Sequence, residues 1–198
     1  MGMIFCTLNG INRSAIDTTD RMATSLIKRG HEVHPLTYDV TRAWNSRDRR
    51  KQMLDASFLL EQVASVKRHH GKVPHIVAHS HGCLLASRIM ELAGSFPFED
   101  AYLFAAAMDR DWIWPEYGAS RIVVISNRRD RAVWWARLMP LEHPWGALGR
   151  LGHKNGHRIP TVTQWWDETQ AYPRSHSHYF KPENIDRWAD AICKFSDH

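Results

Sequence analysis

Residues 73–83 read Val-Pro-His-Ile-Val-Ala-His-Ser-His-Gly-Cys, an apolar run that breaks at Ala78-His79-Ser80-His81-Gly82 and passes at once into a helical pattern. The pentapeptide is a Gly-x-Ser-x-Gly turn with Ala at its first small position. A sharp strand-to-helix turn forces the central serine into a strained backbone conformation. It leaves almost no room for side chains two positions before and two after. Ala78 and Gly82 meet that demand, which makes Ser80 a candidate nucleophile. Five residues alone are a weak signal; the strand before and the helix after give them weight.

The alternation of strand and helix continues outward on both sides. Residues 3–8 predict a buried strand ended by Asn9-Gly10, residues 18–28 a helix closed by Gly30, and residues 33–38 a second strand. Met53, Ala56, Leu60 and Val63 place one apolar face on a helix over 46–69. Residues 75–78 and 83–93 give the third strand and its helix. Residues 101–106 and 121–126 give two more strands, and 132–138 a short helix. Pro140, Pro144, Gly146, Gly149, Gly152, Gly156 and Pro160 mark 139–160 as loop, and a sixth strand at 161–166 precedes a closing helix over 182–196. Short, almost continuously apolar strands separated by helices imply a mainly parallel sheet covered on both faces. Right-handed crossovers then predict a three-layer α/β/α sandwich. The chain is expected to form one domain over 1–198, with 139–160 as a candidate lid or substrate loop.

Composition narrows the classes further. A chain of 198 residues, 43% hydrophobic, suffices for one sizeable core. No apolar stretch approaches the roughly 18 residues of a membrane helix, and the first strand follows without a charged leader, so a cytoplasmic protein is expected. Cys6, Cys83 and Cys193 are odd in number and form no Cys-x-x-Cys pair, against a disulfide framework or a cysteine metal site. The net charge of +5 gathers in part as Arg47, Arg49, Arg50 and Lys51 at the start of one helix and Lys67, Arg68 and Lys72 near its end. These read as solvated helix faces, and no specific nucleic-acid partner is expected; the positive field favours encounter with acidic substrates.

Parallel α/β sheets carry their sites at the carboxyl ends of the strands. Here those ends present Asn9 to Asn12, Tyr38 and Asp39, Ser80 between His79 and His81, Asp109 and Asp111, Asp130, and a late loop with His176 and His178. A serine hydroxyl attacks a carbonyl near neutral pH only if an imidazole takes its proton, and a carboxylate orients that imidazole. The chain order of serine, acid and histidine suits this chemistry.

Ala-His-Ser-His-Gly at 78–82, Asn-Gly-Ile at 9–11, Ser-Asn-Arg-Arg-Asp-Arg-Ala-Val at 126–133 and Ser-His-Ser-His-Tyr-Phe at 175–180 together resemble a small α/β-hydrolase of the lipase/esterase kind. Similar phrases in compact bacterial or phage members include Leu-Phe-Ala-Ala-Ala-Met-Asp-Arg-Asp at 103–111 and Gly-Ala-Leu-Gly-Arg-Leu-Gly at 146–152. The resemblance spans nearly the whole chain. It implies Asp130 as the acid and His176 as the base, with Asp109, Asp111 and His178 as competitors. It also implies an oxyanion hole from the backbone N–H groups of His81 and Ile11. Asn9 stands where such proteins often carry His before Gly. The chain begins at what would be the family's third strand, so six strands in the order 2-1-3-4-5-6 are expected.

The implied activity is hydrolysis of a small-molecule carboxylester, acyl or lipid-like, with no cofactor. The same triad serves a thioester or an amide. Two other classes compete. His79, His81 and a later histidine offer zinc ligands for a metal-dependent hydrolase, and a binding protein can keep this fold without turnover. Seven of the nine tryptophans lie between positions 112 and 166. Trp112, Trp134 and Trp135 are candidates to line an acyl cleft, or to cover the sheet instead. His153 and His157 in the glycine-rich loop are expected to face solvent.

Overall fold

The computed structural model describes residues 2–11, 19–38, 48–130, 132, 146–167 and 176–197. Six strands form one sheet: β1 (Ile4–Leu8), β2 (Glu32–Leu36), β3 (His75–His79), β4 (Phe98–Phe104), β5 (Ala119–Ser126) and β6 (Val162–Trp166). Their spatial order is β2-β1-β3-β4-β5-β6, the order expected from the sequence. Every pairing is parallel. The helices are α1 (Thr19–Lys28), α2 (Arg49–His70), α3 (His81–Ala93), a single turn α4 (Leu148–Leu151) and α5 (Pro182–Ser196).

Strand side chains alternate between faces, so each continuous apolar run feeds two cores. Cys6 and Leu8, Ile76 and Ala78, Leu103, and Ile122 and Val124 pack beneath α2 and α3. Phe5, Val77, Tyr102, Phe104, Val123 and Ile125 face the other way, onto Met22 and Leu26 of α1 and Ile185, Trp188 and Ile192 of α5. The result is the α/β/α sandwich, and it puts every strand's carboxyl end on one rim. Basic residues of α2 take ordinary surface partners: Lys51 pairs with Asp55 at 2.9 Å and Arg49 with Glu91 at 3.4 Å. Among the described residues no helix is long and apolar enough to cross a membrane.

Both ends of β4 differ from expectation for physical reasons. β4 starts at Phe98, three residues early, because Asp100 is held inside the sheet by polar partners. Arg121 donates to its two oxygens at 2.6 and 2.8 Å, and His75 Nδ1 lies 3.0 Å from Oδ2. Burial alone would raise the Asp100 carboxyl, but these bonds hold it down at about 2. β4 then ends before Ala105, whose φ of 49° breaks the extended chain.

The segment 146–160 also departs from an open loop. Leu148 N–H donates to Met108 O, Gly149 N–H to Ala106 O, and Asn127 N–H to Gly149 O. Ser126 Oγ donates to Leu148 O at 2.8 Å. Residues 146–149 are buried and bound to the ends of β4 and β5, so these four residues of the candidate lid are part of the framework. Its first seven residues, 139–145, lie outside the described residues, as do Trp134, Trp135 and the helix expected at 132–138 beyond Ala132.

Candidate active site

Ser80 sits between the last residue of β3 and the first residue of α3 with φ 56° and ψ −121°. For a residue with a side chain this conformation costs on the order of 1–3 kcal/mol and persists only where the surroundings enforce it. They do so here through backbone bonds. Ser80 N–H donates to Phe104 O at 3.0 Å, and Ser80 O accepts from Cys83 N–H at 3.1 Å and Ala107 N–H at 3.3 Å.

The small residues of the turn have identifiable neighbours. A Cβ on Gly82 would lie 2.6 Å from both Leu8 O and Asn9 O, so α3 can rest on the end of β1 only with glycine there. A Cβ on Gly10 would lie 2.9 Å from Ser80 Cβ and 3.4 Å from Ser80 Oγ, which brings the Asn9-Gly10-Ile11 turn directly against the serine. Asn9 Oδ1 accepts from Thr19 N–H at 3.1 Å, fixing that turn to the start of α1. Ile11 is half-buried next to Gly10. His81 opens α3, where backbone N–H groups lack partners from a preceding turn and the helix dipole is positive.

Asp130 follows β5 and is buried despite its arginine neighbours. Its N–H donates to Asn127 O at 3.0 Å, closing a turn. Its Oδ2 lies 2.7 Å from Nδ1 of His176, which carries the proton in that bond and leaves Nε2 for other partners. His176 sits in a loop anchored by the 3-10 turn His178–Phe180. Tyr179 and Phe180 pack on Phe104 with ring centres 5.3 and 5.2 Å away. The His176 ring lies 4.7 Å from that of His79, beside Ser80. Among the described residues Ser80 and His176 make no direct hydrogen bond; such contacts commonly tighten only when substrate is bound.

The competing candidates lie elsewhere. His178 is buried, with Nε2 3.3 Å from Asp167 Oδ2 and its carbonyl accepting from Asn184 at 3.1 Å. Asp109 and Asp111 flank Arg110, which binds the carbonyls of Gly152 at 3.0 Å and Leu151 at 3.4 Å rather than either acid. Burial, and then Asp111, raise the Asp109 carboxyl. Both acids line a separate cavity of about 550 Å³ with Trp112, Ser87 and Arg88. Trp112 donates its indole N–H to Ser87 Oγ at 2.7 Å, two helical turns along α3 from Ser80, and lies under Arg88. Of the two roles expected for Trp112, these contacts place it against α3, at the edge of that separate cavity. His153 is half-buried rather than solvent-facing, with Nε2 3.0 Å from Trp112 O; the side chain of His157 lies outside the described set.

Two contributors carried no signal that sequence reasoning used. His79 is buried, and its Nε2–H donates to the His176 carbonyl at 3.2 Å, bracing the loop that presents His176. Burial and the nearby His176 ring keep its imidazole well below the usual value, hence neutral. Asp167, just past β6, accepts from Arg187 at 2.9 Å and from Asn127 Nδ2 at 3.3 Å, and faces His178. It links the turn before Asp130 to the loop after His176. Nor do His79 and His81 gather as metal ligands: among the described residues neither joins a group of three ligand atoms. The His81 ring is buried beside Tyr38 and pushed down to about 4 by burial and, less, by Lys51.

No protein-family model matches the chain, and no curated protein matches it in sequence. Solved structures do. A carboxylesterase from Mesorhizobium loti superposes with a TM-score of 0.60 at 13% identity, covering 96% of this chain and 88% of its own. An esterase from Pyrococcus furiosus gives 0.64 at 13% identity, with 98% and 81% covered. A Thermus thermophilus protein gives 0.61 at 11%, with 98% and 89% covered. The chain has the α/β-hydrolase fold in a compact, six-stranded form.

Proposed function

We propose that the protein is a serine hydrolase that cleaves a carboxylester through an acyl-enzyme. Ser80 is the nucleophile, His176 the general base and then acid, and Asp130 the carboxylate that orients it. The observation that carries this reading is the 2.7 Å contact of His176 Nδ1 with buried Asp130, on the rim where Ser80 is held in its strained turn. His176 Nε2 takes the Ser80 proton as Oγ attacks the ester carbonyl. The backbone N–H groups of His81 and Ile11 receive the oxyanion, and the leaving alcohol departs with the proton from His176. Water then repeats the cycle on the acyl-enzyme and restores Ser80. The esterase activities named for two structural neighbours support the ester over other acyl compounds. Free thiols at Cys6, Cys83 and Cys193 favour a reducing, cytoplasmic setting.

The test pairs a fluorophosphonate probe with p-nitrophenyl esters of graded chain length. Wild-type protein should be labelled at Ser80 and turn over at least one ester. Ser80→Ala should lose both while keeping its circular dichroism and melting temperature. A folded wild-type protein that takes no label and cleaves none of the esters refutes the proposal.

A further inference from the structure

A group outside the catalytic rim has the chemistry of a metal site. Glu32 and His34 occupy alternate positions of β2, so their side chains leave the same face of the sheet. His70 is the last residue of α2, where Gly71 turns the chain with φ 65° and donates its N–H back to Lys67 O. His70 Nε2 lies 3.0 Å from His34 Nε2 and 3.2 Å from Glu32 Oε1, and His34 Nε2 lies 3.3 Å from the same Oε1. Three potential ligand atoms thus form a nearly equilateral triangle.

Hydrogen bonds alone cannot satisfy that triangle. Each Nε2 carries either one proton or one lone pair. If both imidazoles donate to Glu32, their N–H groups oppose each other across 3.0 Å. If one donates to the other, the acceptor turns a lone pair toward the carboxylate. A cation at the centre satisfies all three contacts at once. In a tetrahedral zinc site with bonds of about 2.0–2.2 Å the ligand atoms stand about 3.3 Å apart, close to the separations here. An ion at that bond length would lie on the order of 1 Å above the plane of the three atoms, facing solvent where a water can complete the set. Neutral imidazole and carboxylate suit Zn²⁺ among divalent ions, and no thiolate is needed.

We infer that Glu32, His34 and His70 form a zinc site that clamps the end of α2 to the edge strand β2. Glu32 pairs in register with Ile4 at the amino end of β1, whereas Ser80 follows the carboxyl end of β3. The site therefore lies about 15 Å or more from the catalytic rim, at the opposite end of the strands. The clamp is structural: it joins the exposed edge of the sheet to the end of a helix that Gln62, exchanging hydrogen bonds with the Thr37 backbone, ties to the other end of the same strand.

Zinc chloride is titrated by calorimetry into protein first stripped with chelator, and melting is followed in parallel. Wild-type protein should bind one Zn²⁺ at this site and melt on the order of 5–10 °C higher at a hundredfold excess over the dissociation constant. His34→Ala/His70→Ala should weaken binding at least tenfold and lose that shift, while His69→Ala should retain both. Glu32→Gln, at an exposed position, should also weaken binding, and it keeps the test intact if the double variant folds poorly. Co²⁺ in place of zinc should give the intense visible bands of a tetrahedral site. Wild-type protein that binds no zinc at millimolar concentration, or variants that bind it as tightly as wild type, would overturn the assignment.

Discussion

Gly82→Ala sets two known effects against each other. Alanine gains up to about 1 kcal/mol over glycine inside a helix, so on propensity alone the variant should be more stable. The added Cβ, however, would meet Leu8 O and Asn9 O at 2.6 Å and Asn9 C at 3.0 Å. That is about 0.8 Å inside ordinary contact, and the obstacles are backbone atoms at the end of a strand paired on both sides. No flexible side chain can yield. Overpacking of this kind costs roughly 1–3 kcal/mol, and with carbonyls on two sides the upper end applies. The net expectation is about 2 kcal/mol of destabilisation, a fall of about 4–8 °C for a chain of this size. Relief by backing α3 away from β1 would part His81 from the Gly10-Ile11 turn. A misplacement near 1 Å costs on the order of 100-fold in rate. Melting curves and ester kinetics together are decisive: the expected variant is folded, less stable, and impaired mainly in kcat. A melting temperature above wild type with unchanged kcat would mean that helix propensity wins and that α3 does not rest on β1 as described.

Asp167→Asn keeps the shape of the side chain but removes the charge shared by Arg187, His178 and Asn127. Because Arg187 is half-exposed, the loss should sit at or below the low end of the buried-pair range, about 3 kcal/mol, with kcat down about tenfold as the loops carrying Asp130 and His176 lose their tie; denaturant melts and steady-state kinetics check both. His81 supplies an acid sensitivity. An unfolded histidine protonates near 6.5 and the buried one only near 4, so the unfolded state binds more protons in between and stability falls as pH drops through that window. The loss approaches about 3 kcal/mol at pH 4, and His81→Gln should flatten the dependence of melting temperature on pH between 6.5 and 4; an equally steep profile in the variant would place the acid sensitivity elsewhere.

How far the sequence discloses this molecule depends on whether each feature is written locally. The strands were legible because a doubly covered parallel strand must be apolar on both faces, and 75–79 or 121–126 show that directly. The start of β4 was not, because Glu99 and Asp100 read as a break. The distant Arg121 and His75, with the hydroxyl of Tyr102, make a buried acid tolerable there. Ser80 could be proposed from the turn itself, and Asp130 and His176 only from the resemblance, because other acids and histidines follow strands at the same rim. The supports around them could not, because the bond from His79 to His176 spans 97 positions and leaves no periodicity.

The two His-Ser-His tripeptides, at 79–81 and 176–178, make the same point within identical sequence. His79 is buried and holds a loop by its N–H, and His81 is buried and neutral at the start of a helix. His176 sits at the rim against Asp130, and His178 is buried against Asp167. Four imidazoles in matching contexts take four roles because burial and partner set what each can do with a proton. Glu32, His34 and His70 extend the argument: separated by as many as 38 positions, they match no spacing rule, and only the packing of α2 on β2 turns three unremarked side chains into one set of ligands.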